Sequence, residues 1–478
     1  MIPITSEPGD GHQTPSVPWW KPVLLAALAG GMGWGIRGQY GHETGAMIAG
    51  LLIGLVLLVL LGAQLTRATA ARALAWVTIA IGFGGSMTYG QTVGLTHDAP
   101  LIGNWQALSW GMLGLAIKGA IWIGFAGLFL GMGLGGVRYR PAECLLMMLA
   151  AVALYHVGVW LLNSPFNPAE RELPLIYFSD HWRWEPEATL KPRRECWGGL
   201  LLALAGLWAY VGRGRKDALA ARLAGWAALG GCIGFPLGQS LQAFHAWNPD
   251  MFTGPFWSRL DPHMNWWNFM EITFGAVAGA FLGLGLWRNR ARIRNAEAAQ
   301  HWLPAWVPAV LLAVHLPLLI GVEFLSIAIV DALYDLGLVL GIIPVVAVSA
   351  SRWWPYALVL PVTLLPIAGK TVRQLVFQEQ WLGPVAGWAL LFVLPMMLAI
   401  AAAWFLARQT EESLPTRRFA AGILVFSTVI YFGLNFAFFH LPWPWADWTG
   451  RTPSGIVFTI CTAALLGLAA TQLRRSRV

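Results

Sequence analysis

Apolar residues in this chain gather into blocks near twenty residues long, separated by short polar stretches. That block length decides what the chain can become, because about twenty helical residues cross the roughly 30 Å hydrocarbon core of a bilayer. Strands of a membrane barrel would be about half as long and would alternate apolar with polar, which these blocks do not. Composition agrees: 57% of the 478 residues are hydrophobic and only 11% are charged, roughly half the charged fraction of a soluble domain. The expected fold class is all-α, a polytopic transmembrane helical bundle embedded in the lipid bilayer.

In order, the blocks predict helices near 22–36, 45–63, 73–90, 107–134, 143–162, 197–212, 222–238, 267–287, 304–322, 326–349, 355–369, 382–407, 419–438 and 454–471, about fourteen spans in all. They divide the chain into a polar N-terminal tail (1–20), a membrane core (21–290) with a long outer cap loop (163–196), a basic linker (291–302) and a six-helix region (303–478). The first eighteen residues are polar and rich in Pro, Gly and Ser, without the basic-then-apolar pattern of a cleaved signal peptide.

Alternate loops are strongly basic: Arg67 and Arg72; Arg138 and Arg140; Arg213, Arg215 and Lys216; Arg288 through Arg294; Arg408, Arg417 and Arg418; Arg474 through Arg477. The positive-inside rule makes these loops cytoplasmic, and with them both termini, in a plasma (inner) membrane protein. The net charge of +8 is then mostly topogenic and is no nucleic-acid footprint. Cys144, Cys196, Cys232 and Cys461 are isolated, with neither a disulfide framework nor metal-ligand spacing. The outer His, Asp and Glu residues would suit a metal as oxygen and imidazole ligands, without a recognisable ligand spacing, and the sequence leaves cofactor and metal content open.

Internal similarity is the most specific signal. Three predicted helices share G-x7-G-Q: Gly30 with Gly38-Gln39, Gly82 with Gly90-Gln91, and Gly230 with Gly238-Gln239. The second and third copies continue with a hydroxyl residue (Thr92, Ser240), then a histidine (His97, His245), then a loop ending in Asn104-Trp105 or Asn265-Trp266. All three cross inside to outside, a parallel repeat of helical hairpins. The glycines suit close helix packing, as do Gly275, Gly279 and Gly283. Glutamines and histidines at matched offsets suit a shared outer cavity, because polar groups near membrane depth face a cavity or a partner. The G-x-G-x-x-G matches at Gly33–Gly38 and Gly131–Gly136 follow no strand, so they are not dinucleotide sites.

Polar chemistry is expected on the extracytoplasmic face. His42, Glu43, His97, Asp98, Asp180, His181 and Glu271 are the candidate acid–base groups. Arg37, Gln39, Gln91, Asn104, Lys118, Arg193, Arg194, Gln239, His245, Asn265 and Trp266 are the candidate substrate contacts. Trp182, Trp184, Trp247, Trp257 and Trp267 offer flat apolar walls, although tryptophan at this depth also serves as an interfacial anchor. Lys118, mid-helix, requires an interior carboxylate or carbonyl, with His156 on the next helix a possible neighbour. Glu323, Asp331 and Asp335 could form a proton relay or cation site, or be neutralised by Lys370 and Arg373. Three functions fit this pattern: a membrane-embedded transferase or hydrolase for a lipid-linked or saccharide-like substrate, an ion-coupled secondary transporter of a small polar solute, and a structural subunit of a membrane complex.

Overall fold

The computed structural model describes residues 17–41, 43–179, 183–185, 192–296, 304, 306–325, 327–335, 341–350, 354–409 and 413–475. Among these the chain is helical, with two isolated bridges and no strand. The first part comprises α1 (Trp20–Arg37), α2 (Glu43–Leu61), α3 (Arg67–Gly84), α4 (Gly90–His97), α5 (Trp105–Leu134), α6 (Pro141–Leu162), α7 (Trp197–Ala209), α8 (Ala218–Trp247) and α9 (Trp266–Arg288). There follow α10 (Trp306–Phe324), α11 (Ala328–Asp335), α12 (Ile343–Ala350), α13 (Pro355–Gln378), α14 (Pro384–Arg408), α15 (Thr416–Phe438) and α16 (Thr452–Arg475). Nine of the described helical segments are long and apolar enough to cross a membrane: α2, α5, α6, α8, α9, α13, α14, α15 and α16. The chain is therefore a multi-pass, all-α protein suited to a bilayer.

Local chemistry sets several helix starts. The side chains of Thr66, Asn104, Asp217 and Asn265 accept from the N–H groups of Thr69, Ala107, Ala220 and Asn268, satisfying donors that a helix N-terminus leaves open. The chain leaves α5 through Gly136 at φ +76°, a left-handed conformation that glycine adopts without steric cost.

Small residues then bring the helices together. α1 and α9 run antiparallel: a Cβ at Gly30 would fall 2.2 Å from the Gly275 carbonyl oxygen, and those at Gly279 and Gly283 would strike Ala26 and Pro22. α5 and α8 cross in the same way, through Gly119 on Gly231 and Gly131 on Ala220. In a bilayer, where apolar surface gains little from leaving lipid, such close backbone approach supplies the packing energy. The glycine-rich run at Gly131–Gly136 is thus largely a packing surface. The most apolar stretch of α2 is wholly buried at the centre. α6, α14 and α16 are peripheral and turn large apolar side chains outward, among them Leu146, Trp160, Met397 and Trp404.

The loops bearing the basic residues meet at one end of the bundle. Thr66 N donates to Asn295 Oδ1 (2.6 Å) and Arg294 N to the Leu134 carbonyl (2.9 Å). Arg67 and Thr416 reach the carbonyls of Gln409 and Leu65. The opposite end holds the termini of α1, α9, α15 and α16 that frame the polar site.

Several helix boundaries differ from the sequence expectation; the helix expected over 355–369, for one, runs on to Gln378. The helix expected over 73–90 stops at Gly84, and the chain resumes helix only at Gly90. The helix expected to end at 238 runs on to Trp247 through Pro236. Consequently the three Gly-Gln copies have three local forms: just past the end of α1, at the start of α4, and inside α8.

Candidate functional site

The break between α3 and α4 leaves carbonyls without helical partners inside the bundle, where a free carbonyl costs several kcal/mol. The structure satisfies two of them with side chains. Lys118 Nζ, from the middle of α5, donates to the Thr88 carbonyl (2.7 Å), and Cys196 Sγ donates to that of Ser86 (3.0 Å). Lys118 also donates to Thr92 Oγ1 (2.8 Å) and to Glu195 Oε1 (2.6 Å), so its three protons are all placed. Glu195 additionally accepts from Ser179 Oγ and from Phe178 N (both 2.9 Å), and Ser179 Oγ lies 3.0 Å from Thr92 Oγ1. Both charged side chains are 1% exposed. The expected interior partner of Lys118 is therefore both a carboxylate and a carbonyl, while His156 faces outward against Tyr155.

Glu195 is the residue that sequence reasoning missed. It follows Arg193 and Arg194 and resembles surface charge, yet the end of the 163–196 cap carries it into the bundle.

A second buried pair joins α1 to α9. Arg37 Nη2 donates to Tyr89 Oη (2.6 Å) and lies 3.5 Å from Glu271 Oε1, with both charged side chains 2% exposed. The guanidinium sits over the rings of Trp34, Tyr89 and Trp122 at 5.3–5.5 Å, a cage that offsets part of its desolvation. Glu271 accepts from Tyr89 Oη (3.3 Å), Trp267 Nε1 (3.2 Å) and Asn268 Nδ2 (3.4 Å). The repeat glycine Gly38 has a specific task here: a Cβ there would fall 2.4 Å from Glu271 Oε2. Arg37, a candidate substrate contact, is held by Glu271 and Tyr89.

Beside this pair a narrow cleft opens between the ends of α1 and α15 and the starts of α9 and α16. Its polar lining is Gln39, Asn268, Asn435, Arg451 and Ser454, with Phe436, Phe439 and Phe458 as apolar walls. Its centre, about 10 Å³, holds about one water molecule. With the Gln39 amide oxygen turned toward Arg451, Nη1 and Nη2 lie 3.1 and 3.3 Å away. Two polar atoms of lining residues are buried without a hydrogen-bond partner, Asn268 Oδ1 and Ser454 Oγ, while the Asn435 amide is turned to the Tyr40 hydroxyl.

The remaining candidates are dispersed. Of the three repeat glutamines, Gln39 lines this cleft. Gln91 accepts from Arg193 N under the cap (3.2 Å), and Gln239 donates to Thr96 Oγ1 (2.7 Å). His97 Nδ1 lies 3.0 Å from the Val93 carbonyl and 3.7 Å from Asp98. His245 pairs with Asp261 (2.9 Å) and stacks on Trp266, whose indole donates to the same carboxylate. Arg193 and Arg194 are exposed, and Glu43 stands in the first turn of α2. His42, Asp180, His181 and Trp182 lie outside the described residues, as do the side chains of Glu323 and Asp335. Lys370 Nζ donates to the Tyr40 carbonyl (2.7 Å), and Arg373 sits over the Phe324 ring. Among the described residues no group of three or more His, Cys, Asp or Glu could hold a metal, and all four cysteines are free.

Asn104 and Asn265 serve here as helix caps. Asn265→Ala is expected to cost about 1 kcal/mol of stability, most of it restored in Asn265→Asp. Thermal unfolding of the two variants in one detergent checks this; equal losses would argue against capping.

Outside the spans, Glu379 accepts from Gln374 Nε2 and contacts His440 Nε2. The Gln374 hydrogen bond, then the His440 contact, hold its carboxyl below the usual range. A depressed carboxylate pKa contributes stability above the unfolded value, and this is lost as pH falls through the folded value. Residue 440 is therefore expected to stay protected at neutral pH and to open only at acid pH below the ordinary glutamate range. Labelling of a His440→Cys variant would remove the contact itself, so protection is best read by hydrogen exchange across 436–441.

No protein-family model, curated protein or solved structure matches this chain.

Proposed function

We propose that the chain is a plasma (inner) membrane enzyme of about fourteen spans with both termini cytoplasmic. In this reading its extracytoplasmic cleft binds the anionic, polar head of a lipid-linked or saccharide-like substrate for transfer or hydrolysis. The observation that carries the reading is the convergence of Asn268 Oδ1 and Ser454 Oγ, buried and without partners, around one cleft. Each such atom costs about 1–3 kcal/mol, a cost that a polar ligand would relieve. Arg451 offers a planar guanidinium suited to phosphate or carboxylate, beside the Gln39 amide. Glu271 lies one hydrogen bond behind the lining through Asn268 and is the acid–base group within reach, its charge balanced by Arg37. The cleft in this form is narrow, so the aromatic walls must open to admit substrate. The parallel Gly-Gln repeat belongs to the same proposal, as the scaffold that brings α1 onto α9.

The test is turnover by purified protein of a panel of polyprenyl-phosphate-linked sugars. Arg451→Ala is expected to lower it about a hundredfold, the scale of losing one electrostatic donor, with unfolding temperature little changed. A second reading, an ion-coupled carrier, draws on Lys118 and Glu195 meeting at a helix break, a form that suits a coupled site. Gradient-dependent uptake into proteoliposomes with no product formed, lost in Glu195→Gln, would favour the carrier and sink the enzyme.

A further inference from the structure

The cleft beside Glu271 has a centre of definite size and definite hydrogen-bonding character. Asn268 and Ser454, which meet there, are 2% and 1% exposed. Asn268 Nδ2 donates to the Gly35 carbonyl (2.8 Å) and to Glu271 Oε2 (3.4 Å). Both partners only accept, so the amide can point only one way, and its Oδ1 is left a buried acceptor with no donor. Ser454 Oγ, in the first turn of α16, is buried without a partner as well.

The room at this centre, about 10 Å³, takes one oxygen-sized group. That group must donate to Asn268 Oδ1 and suit a serine hydroxyl, which both donates and accepts. A hydroxyl meets these conditions. An ionised phosphate or carboxylate is too large and has no proton to donate. An ammonium donates but cannot accept from Ser454, and it would share the cleft with the Arg451 cation.

Arg451 adds a second condition. Its guanidinium meets the Gln39 amide oxygen and lies over the Phe439 ring, 4.3 Å from the centroid. Among the described residues no carboxylate stands within ion-pair distance of it, and Glu271 attracts it only from farther away. A planar fork of N–H donors engaged on one neutral oxygen is suited to an anionic oxygen brought in beside it.

We infer that the cleft recognises its ligand by a hydroxyl carried on the same head as an anionic phosphate. The hydroxyl fills the centre between Asn268 Oδ1 and Ser454 Oγ, and the phosphate lies at Arg451. This rests on the function proposed above and narrows its substrate class to polyol- or sugar-phosphate heads, as against choline or ethanolamine heads.

The experiment is native mass spectrometry of the full chain in phosphatidylcholine micelles holding equal amounts of phosphatidylglycerol and phosphatidylmethanol. Both are phosphodiester monoanions, and only the first carries hydroxyls on its head. Phosphatidylglycerol is expected to be retained about tenfold over phosphatidylmethanol, the effect of one hydrogen bond to a buried acceptor. Arg451→Ala is expected to release both. Ser454→Val, which puts a methyl in place of the hydroxyl, is expected to abolish the preference. Ser454→Ala is expected to weaken it without lowering the unfolding temperature, because it removes a buried polar atom that has no partner; it carries the test if the valine variant fails to fold. Equal retention of both anions over phosphatidylcholine, lost in Arg451→Ala, would mean that water fills the centre. That result would overturn the hydroxyl and leave the anionic-head reading standing. Equal retention of all three lipids would overturn that reading and this inference together. A preference unchanged in both Ser454 variants would place the hydroxyl contact elsewhere and overturn the site. Displacement of phosphatidylglycerol by free glycerol phosphate would support the same chemistry and assign it to a water-soluble substrate.

Discussion

Replacing Glu195 with alanine while keeping Lys118 is expected to cost roughly 3–5 kcal/mol of stability, the scale of stripping one partner from a buried ion pair. The structure explains why so much rides on one carboxylate. Glu195 accepts from Lys118, Ser179 and Phe178 N, so its loss leaves an ammonium with only two neutral acceptors and frees the end of the cap. The double variant Lys118→Met, Glu195→Leu is expected to recover most of the loss, because two apolar side chains of similar size leave no buried charge. Thermal or denaturant unfolding of the two single variants and the double variant forms a complete cycle. A coupling near zero would mean that the pair does not hold the cap. Limited proteolysis across 163–196 gives an independent readout: cleavage should rise in Glu195→Ala and fall back in the double variant. The Thr88 carbonyl keeps part of the penalty in place, since Met cannot donate to it.

The second large effect is expected at Arg37. Arg37→Met leaves Glu271 buried with three neutral donors and no countercharge in direct contact, at an expected cost of about 3–5 kcal/mol. Arg37→Lys is expected to be nearly as damaging, although it keeps the charge. A lysine lacks the planar fork that meets Tyr89 and Glu271 together, and it loses the stacking between Trp34, Tyr89 and Trp122. Arg37→Met combined with Glu271→Met removes both charges and is expected to regain stability. It should not regain turnover if Glu271 is the acid–base group of the adjacent cleft. Unfolding temperature and turnover measured on the same preparations separate the two roles. A double variant as active as the parent chain would make the pair purely structural and remove Glu271 from the proposed mechanism.

Much of the architecture was legible because it is written in local terms. Block length reports the bilayer thickness, so helices at 105–134, 141–162, 266–288 and 416–438 fall within a few residues of expectation. Small residues at fixed spacing report helix contact, and Gly275, Gly279 and Gly283 do pack on α1. Asn104 and Asn265 open helices as their spacing suggested, but as caps. The helix break at 85–89 was not legible: its apolar and glycine content continues the pattern of α3, and what stabilises the break is supplied by Lys118 and Cys196 from elsewhere in the chain.

The buried pairs show where sequence reading stops. That Lys118 would need a partner follows from the cost of a charge in hydrocarbon. That the partner is Glu195, 77 residues away in a loop dense with exposed charge, follows only from the packing of the cap onto α5. The same holds for the cleft, whose Asn435 in α15 and Arg451 in the turn before α16 meet Asn268 only because α15 and α16 close against α1 and α9. The apolar blocks by themselves determined that this chain is a helical membrane protein and which of its ends are basic, because hydrophobic length and loop charge act on each segment independently. Which buried polar groups face one another was decided by the tertiary structure alone, because pairing depends on the relative rotation of helices far apart in sequence, and no local pattern encodes that rotation.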